Sequence, residues 1–308
     1  MSDYHVPVLL KECVEFLNIH PGGKYVDVTF GAGGHSRSIL EKIGVEGHLY
    51  GFDQDDDAVA NKIDDARFTF IKANFRHLKR FLRVEGVREV DGVLADLGVS
   101  SYQFDFPERG FSYRFDADLD MRMNISDELS AAVILREYSQ DDLQLMFSQF
   151  GEVRNAKTLA KVIVEQRSIE AIVTTFQLNE ILERLRFGPR AKYFAQVYQA
   201  LRMEVNQEVR VLEEMLQDGL DVLKPGGRFV VMSYHSIEDR IVKNFFRSGN
   251  VNGEIIKDDF GNIDRPFKLI NKKVILANDE EVRRNSRAKS AKLRVAEKNN
   301  NYLNLIRS

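Results

Sequence analysis

Two acidic residues close short apolar runs, and a third interrupts another. His48-Leu49-Tyr50-Gly51-Phe52 ends in Asp53, and Asp91-Gly92-Val93-Leu94-Ala95 ends in Asp96. Asp27 sits inside Tyr25-Val26-Asp27-Val28-Thr29-Phe30, just ahead of Gly31-Ala32-Gly33-Gly34-His35-Ser36. A carboxylate at a strand end accepts hydrogen bonds from a ligand or meets a cation. A glycine turn lets backbone N–H groups approach that ligand, because no Cβ intervenes. Asp53 lies 20 residues beyond Gly33, the spacing of a ribose-binding acid in a nucleotide-binding βαβ unit. It reads equally well as the N-cap of a helix over 54–63. Asp96 leads into Leu97-Gly98-Val99-Ser100-Ser101, a flexible polar loop.

Strands of one sheet are needed to gather these acids. The sequence predicts strands near 25–30, 48–52, 68–72 and 91–95, with helices near 34–43, 55–63 and 75–84. This βαβ alternation implies an α/β fold with a parallel sheet and right-handed crossovers. A helical stretch over 204–223 stops at the turn signal Lys224-Pro225-Gly226-Gly227. A buried strand, Arg228 to Tyr234, follows, then a helix from Ser236 to Arg247 with Ser236 as N-cap. Phe267–Ala277 and Ala291–Glu297 are late strand candidates. From about Met123 to Tyr193 the apolar residues fall at helical spacing, which predicts an all-helical insertion after the fourth strand. Insertions at the carboxyl edge of such a sheet often contact the substrate. The expected division is 1–108 with 200–298 as one discontinuous domain, 109–199 as the insertion, and 299–308 as a tail.

Two nucleotide cofactors use such a turn. The dinucleotide fingerprint wants a third glycine or alanine where this chain has Ser36, and its first strand is usually all apolar, whereas Asp27 interrupts this one. A carboxylate there suits the ammonium of S-adenosylmethionine, or it is satisfied by nearby backbone N–H groups. No nicotinamide-side motif is evident, so an oxidoreductase is disfavoured. His35 either packs at a helix start or faces the ligand. Phe75, after Lys72-Ala73-Asn74, either stacks on adenine or packs in the core.

Asp96 is the candidate catalytic residue. The lone pair of an exocyclic nucleobase amine is delocalised into its ring. A carboxylate accepting its N–H favours a pyramidal nitrogen as a methyl group arrives, which is positioning plus electrostatic stabilisation. The alternative for Asp96 is cofactor binding alone. Carbon-5 methylation of cytosine needs a cysteine nucleophile. The single cysteine, Cys13, lies in an expected helix from Leu9 to Leu17, where packing is its commoner role. His235 reads evenly as a crevice residue or a turn cap. The six histidines show no metal-ligand spacing.

The 308 residues are 44% apolar with a formal charge of −3, enough for a full core and against a uniformly basic coat. One cysteine excludes an intrachain disulfide and fits a reducing, cytoplasmic setting. Met1–His5 has neither the basic nor the apolar region of a secretory leader, and no apolar stretch is long enough to span a bilayer. Basic residues gather at Arg283, Arg284, Arg287, Lys289, Lys292 and Arg294, and at Arg184, Arg186, Arg190 and Lys192 with Phe187 and Tyr193 interleaved. Such clusters neutralise phosphates or are simply solvated.

Several segments together match one family. They are Val8-Leu9-Leu10, Thr29 to Ser36, Asp96 to Ser101, Glu108-Arg109-Gly110-Phe111-Ser112, Leu119-Asp120-Met121-Arg122-Met123, His235-Ser236-Ile237-Glu238-Asp239-Arg240 and Asn285 to Arg294. From about residue 5 to 298 the chain resembles the bacterial MraW family of 16S ribosomal RNA methyltransferases. The resemblance implies a class I S-adenosylmethionine-dependent fold, a mostly parallel Rossmann-like sheet with late antiparallel pairing of Phe267–Ala277 and Ala291–Glu297. It implies N4-methylation of one cytidine in the P-site decoding region of 16S rRNA, within the small ribosomal subunit. It carries cofactor roles to Gly33, Gly34, His35, Asp53, Phe75, Asp96 and Gln103. Ser286, Tyr102 and Tyr234 depart from the family's usual proline, proline and phenylalanine, and none of the three is expected to touch a ligand group. A binding or assembly factor that holds cofactor and RNA without turnover is the alternative.

Overall fold

The computed structural model describes residues 7–98, 107–257, 263 and 265–300. The chain divides into two compact units, Met1–Gly98 with Val211–Ser308, and Val99–Arg210.

The first unit is built on a seven-stranded sheet of order β3-β2-β1-β4-β5-β7-β6. The strands are β1 (Lys24–Asp27), β2 (His48–Asp53), β3 (Phe68–Lys72), β4 (Val90–Asp96), β5 (Leu223–Ser233), β6 (Phe267–Leu269) and β7 (Lys292–Lys298). β1 to β5 pair in parallel. β7 runs antiparallel to both β5 and β6. This is the class I arrangement that the family resemblance implies, with one refinement. Only β7 is reversed, because β6 pairs antiparallel to a strand that is itself reversed. β6 is also shorter than expected: from 270 to 277 the chain meets β7 through Ile270 N, the Asn271 side chain and an isolated bridge, Ile275 to Leu293, without forming a ladder.

β-Branched and aromatic residues fill the strands, and Tyr25 to Asp27 of β1 and Phe229 to Ser233 of β5 are buried throughout. Helices α1 (Leu10–Phe16), α2 (Gly34–Leu40), α3 (Asp56–Val59) and α4 (Leu78–Val84) follow in chain order. Cys13, Leu17, Tyr25, Ile39, Ile43 and Leu49 share one core with Leu94, Val230 and Leu293. Cys13 is fully buried and burial pushes its thiol up, so it packs rather than reacts.

The turn expected at Lys224–Gly227 is a bulge inside β5. Leu223 pairs with Val90, and pairing resumes only at Arg228 with Gly92. A Phe229–Phe246–Phe267 cluster, with ring centroids 5.3–6.3 Å apart, seals the β6 end of the sheet.

The second unit is helical: α5 (Ala131–Glu137), α6 (Gln140–Gly151), α7 (Ala156–Arg167), α8 (Thr175–Leu185) and α9 (Arg190–Val205). Apolar residues at i, i+3 and i+4 line its core, among them Leu143, Phe147, Leu159, Ile163, Leu178 and Phe194. Thr174 and Gln177 form a capping box on α8. The single helix expected over 204–223 is broken. α9 ends at Val205, Gln207 has a positive φ, and α10 (Glu208–Val222) begins anew. Asn206 causes the break by donating to the carbonyls of Met121 and Arg202 and accepting from Met123 N. Those bonds trade helix continuation for a tie to the Leu119–Met123 segment. Among the described residues no helix is long and apolar enough to cross a membrane.

Candidate active site

Parallel pairing sets the ends of the central strands level. Asp27 is in register with Gly51 and Leu94, and Asp96 with Met232. The carboxyl edge of the sheet therefore gathers Asp27, Asp53 and Asp96 beside Ser233. Strand-end crevices of this kind are where ligands bind in open α/β sheets.

Asp27 is completely buried. Its Oδ2 accepts from Ser36 Oγ at 2.7 Å, and its Oδ1 accepts from Thr29 N at 3.1 Å. Burial raises its carboxyl above the usual range, and these donors partly offset the rise. Through both oxygens Asp27 braces the glycine turn. Ser36, the departure from the dinucleotide pattern, exists to make this bond.

Gly33 holds φ +75° and caps α2, a conformation that would strain any L side chain. A Cβ at Gly34 would stand 2.3 Å from the Pro7 ring, so that glycine admits the chain's first described residue. His35 is buried one residue into α2, and burial lowers its imidazole below the usual value. It is therefore neutral at pH 7.

Asp53 is half-buried. Its Oδ2 accepts from Gly31 N at 2.8 Å and its Oδ1 from Asp55 N at 2.9 Å. Burial raises its carboxyl to about 6, against the pull of these two amides. Asp55, not Asp53, is the N-cap of the next helix, α3. Asp53 thus ties the glycine turn to β2 and keeps a lone pair on each oxygen for a ligand. Phe75 begins a 3₁₀ turn capped by Asn74 and is half-buried. Ala73 N donates to the Asp53 carbonyl, so Phe75 follows closely on the β2 edge.

Asp96 ends β4 with its side chain 24% exposed. Its backbone N donates to Thr29 Oγ1 at 2.7 Å, joining β4 to the glycine turn. Its Oδ1 accepts the Tyr234 hydroxyl at 2.8 Å. Its Oδ2 lies 3.9 Å from His35 Nδ1, beyond hydrogen-bond range. Burial raises its carboxyl to about 6; His35 opposes the rise only in its protonated form, the Tyr234 hydroxyl opposes it by its hydrogen bond, and Asp27 and Glu238 add to it. The Tyr234 contact corrects an expectation: this departure from the family's usual residue does touch the proposed catalytic acid. No sequence signal showed it, because the contact depends on the β4–β5 register.

His235 caps the helix α11 (Ser236–Ser248), its Nδ1 accepting from Glu238 N at 3.4 Å. The cap expected at Ser236 is thus one residue earlier. His235 Nε2 lies 3.1 Å from Glu238 Oε1, and Glu238 Oε2 accepts Tyr234 N at 3.1 Å. In this geometry His235 and Glu238 fix the segment that carries Tyr234. Gln103, Ser100 and Ser101 lie outside the described residues.

No lysine or arginine is ion-paired with Asp27, Asp53 or Asp96 among the described residues. An acceptor-rich, desolvated edge without its own cation suits a ligand that brings positive charge and hydroxyl donors. A sulfonium nucleoside with a ribose diol meets that description.

A sequence model of the MraW methylase family matches residues 2–299. The chain belongs to the MraW methylase family. A ribosomal RNA small subunit methyltransferase H of Flavobacterium johnsoniae is 55% identical over 297 residues, covering 96% of this chain and 98% of that protein. Its counterpart in Christiangramia forsetii is 54% identical over 299 residues, covering 97% and 99%. That of Phocaeicola vulgatus is 53% identical over 297 residues, covering 96% and 97%.

The MraW-family segments of the helical unit have visible physical jobs. Arg122 holds Asp120 through two bonds of 2.7–2.8 Å and donates to the carbonyls of Ile125 and Asp127. Arg109 donates to the carbonyls of Arg122 and Met123. These arginines stitch irregular chain that no ladder satisfies. The basic cluster near Gly188 is less free than its sequence suggests. Arg190 pairs with Glu183 at 2.9 Å and stacks 4.3 Å over Phe194. Tyr193 is a core residue, whereas Phe187 is 56% exposed. Near the other end of the chain, Arg294 and Lys292 both reach Asp239, at 2.7 and 3.6 Å.

Proposed function

We propose that this chain transfers a methyl group from S-adenosylmethionine to the exocyclic N4 of one cytidine in the P-site decoding region of 16S rRNA, in the small ribosomal subunit in the cytoplasm. Family membership and the names of its relatives support methylation of small-subunit rRNA, and the N4 position rests on Asp96. One observation carries that assignment. Asp96 presents a desolvated carboxylate with Oδ1 occupied by a phenol and Oδ2 uncommitted, beside a glycine turn.

The cofactor supplies an electrophilic methyl carbon on a sulfonium. The turn of Gly33 and Gly34 and the neutral ring of His35 would hold it, with Asp53 for its ribose hydroxyls and Phe75 for its base, and the family resemblance adds Gln103 to this set. Asp96 accepts an N–H of the cytosine amine, which localises the lone pair on nitrogen and points it at the methyl group. A C–N bond forms as the C–S bond breaks, its electron pair leaving on sulfur. The amine's surplus proton departs through the Asp96 carboxylate. His235 supports the site through Glu238 and Tyr234. On the helical unit, the exposed Arg184, Lys192 and Phe187 are suited to phosphates and an unstacked base.

The test is tritium transfer from labelled S-adenosylmethionine to small subunits isolated from a strain that lacks the gene. Label on N4 of a single P-site cytidine is the expected result. Label on carbon or ribose would overturn the assignment of Asp96. Cofactor binding with no transfer to subunits or naked rRNA would leave a binding factor in its place.

A further inference from the structure

We propose that Tyr234 is a positioning residue for the methyl transfer: its hydroxyl fixes the plane of the Asp96 carboxylate, holds it ionised, and leaves Oδ2 as the one oxygen that meets the acceptor amine. The inference rests on the catalytic role assigned to Asp96 above.

The geometry is specific. The Tyr234 hydroxyl donates to Asp96 Oδ1 at 2.8 Å, a charge-assisted bond in a largely desolvated place. The ring packs on the core beneath the sheet edge. Its other side closes on Gly98, where φ is +109° and an added Cβ would stand 3.3 Å from the ring. The backbone is held by Tyr234 N donating to Glu238 Oε2. The phenol is therefore held by the core, by Gly98 and at its backbone, and its one donor points at Asp96. Burial, and next Asp96 itself, raise the phenol far above its ordinary value, so it remains a donor across any assay range.

What faces Asp96 makes that donor matter. His35 on α2 is neutral and 3.9 Å away. Asp27 on β1 and Glu238 on α11 oppose its ionisation, and Cys13 on α1 is a buried, protonated thiol within its field. Tyr234 is the direct hydrogen-bond donor to this carboxylate among the described residues. A carboxylate able to rotate freely would offer the amine two equivalent oxygens. One with Oδ1 bound offers a single direction.

Phenylalanine fills the same space without the hydroxyl, so Tyr234→Phe isolates the bond. The Asp96 carboxyl is followed by carbon-13 NMR in protein labelled at aspartate Cγ, its signal assigned by its loss in Asp96→Asn. Tyr234→Phe is expected to raise the Asp96 midpoint by about one pH unit. In methyl transfer to small subunits, the acid limb of kcat should move up by the same amount. Activity should then fall about fifteenfold at pH 6 and about threefold at pH 9, with KM for S-adenosylmethionine within about twofold. An unmoved midpoint with superimposed pH profiles would overturn the proposal. So would equal losses in Tyr234→Phe and Tyr234→Leu at every pH, with the midpoint fixed, since the ring would then only pack. The titration needs no RNA. If the wild-type protein labels no N4 position, the proposed reaction fails, and the carboxyl midpoint still decides whether Tyr234 governs Asp96.

Discussion

At the carboxyl edge of the sheet, Asp27, His35, Ser36, Ser233 and Glu238 are buried among apolar strands, whereas Thr175 is the buried polar side chain of the helical unit among the described residues. The sheet unit spends part of its core on groups that resist burial, Asp27 and Glu238 among them restrained by donors from Ser36, Thr29 and Tyr234. The helical unit gathers its carbon inside and puts its charges outside, where they pair with one another. The first arrangement costs stability and makes chemistry. The second stabilises a shape. Substitutions in the two regions should accordingly fail in opposite ways.

The largest expected effect is on chemistry without loss of fold. Asp96→Asn keeps the shape of the side chain and an oxygen for Tyr234, yet removes the charge that orients the amine. Methyl transfer to small subunits should fall about a thousandfold, with the protein still folded by circular dichroism and cofactor affinity within about tenfold. Retention of more than a tenth of the activity would take the charge of Asp96 out of the mechanism. The mirror-image change is Phe147→Ala, a fully buried ring in the helical core. It should cost about 3 kcal/mol or more in chemical unfolding, with no specific loss in the cofactor affinity of the protein that remains folded.

The buried acids also set a pH dependence of opposite sign to the usual one. Asp53 and Asp96 both titrate near 6 in the fold, above the ordinary 3.8. The folded protein holds their protons more tightly than the unfolded chain does. Their penalty is thus absent below about pH 4, grows between 4 and 6, and is complete above 6. Asp96→Asn should therefore be more stable than the parent protein above pH 6, by about 1–2 kcal/mol after allowance for partial exposure, and no more stable below pH 4. Thermal unfolding across that range checks the sign. A parent protein that gains stability relative to the variant as pH rises would show that Asp96 is paired with a cation.

Phe75→Ala sharpens the comparison from the ligand's side. The ring is only half-buried, so its loss should weaken S-adenosylmethionine binding about tenfold in calorimetry while moving the unfolding midpoint little. A large stability loss with unchanged affinity would return Phe75 to packing.

Sequence spacing made the sheet legible because strand period, βα alternation and terminal acids all point to one topology. It predicted the crevice from Gly33, Asp53 and Asp96 for the same reason. Three things needed coordinates. The register of β5 against β4 brings Tyr234 to Asp96, and no local pattern encodes a contact between residues 138 positions apart. Asp27 braces the glycine turn through Thr29 and Ser36, partners that only the folded turn brings to its oxygens. Asn206 split a helix that propensity alone would continue, because its bonds to Met121, Met123 and Arg202 outweigh one helical turn.

The smallest expected effect separates free from committed cations on the helical unit. Arg184 and Arg190 are both exposed, and sequence places them in one basic cluster. Arg190 already spends its charge on Glu183 and its guanidinium face on Phe194, whereas Arg184 has no ion pair among the described residues. A phosphate competes with Glu183 for the first and with water for the second. Arg184→Ala should therefore weaken binding to small subunits about threefold and lower the slope of affinity against salt by about one. Arg190→Ala should leave that slope nearly unchanged and cost up to about 1 kcal/mol of stability through the lost stack. Equal salt slopes for the two variants would mean that pairing with Glu183 does not hold Arg190 back, and that the cluster acts on RNA as a whole.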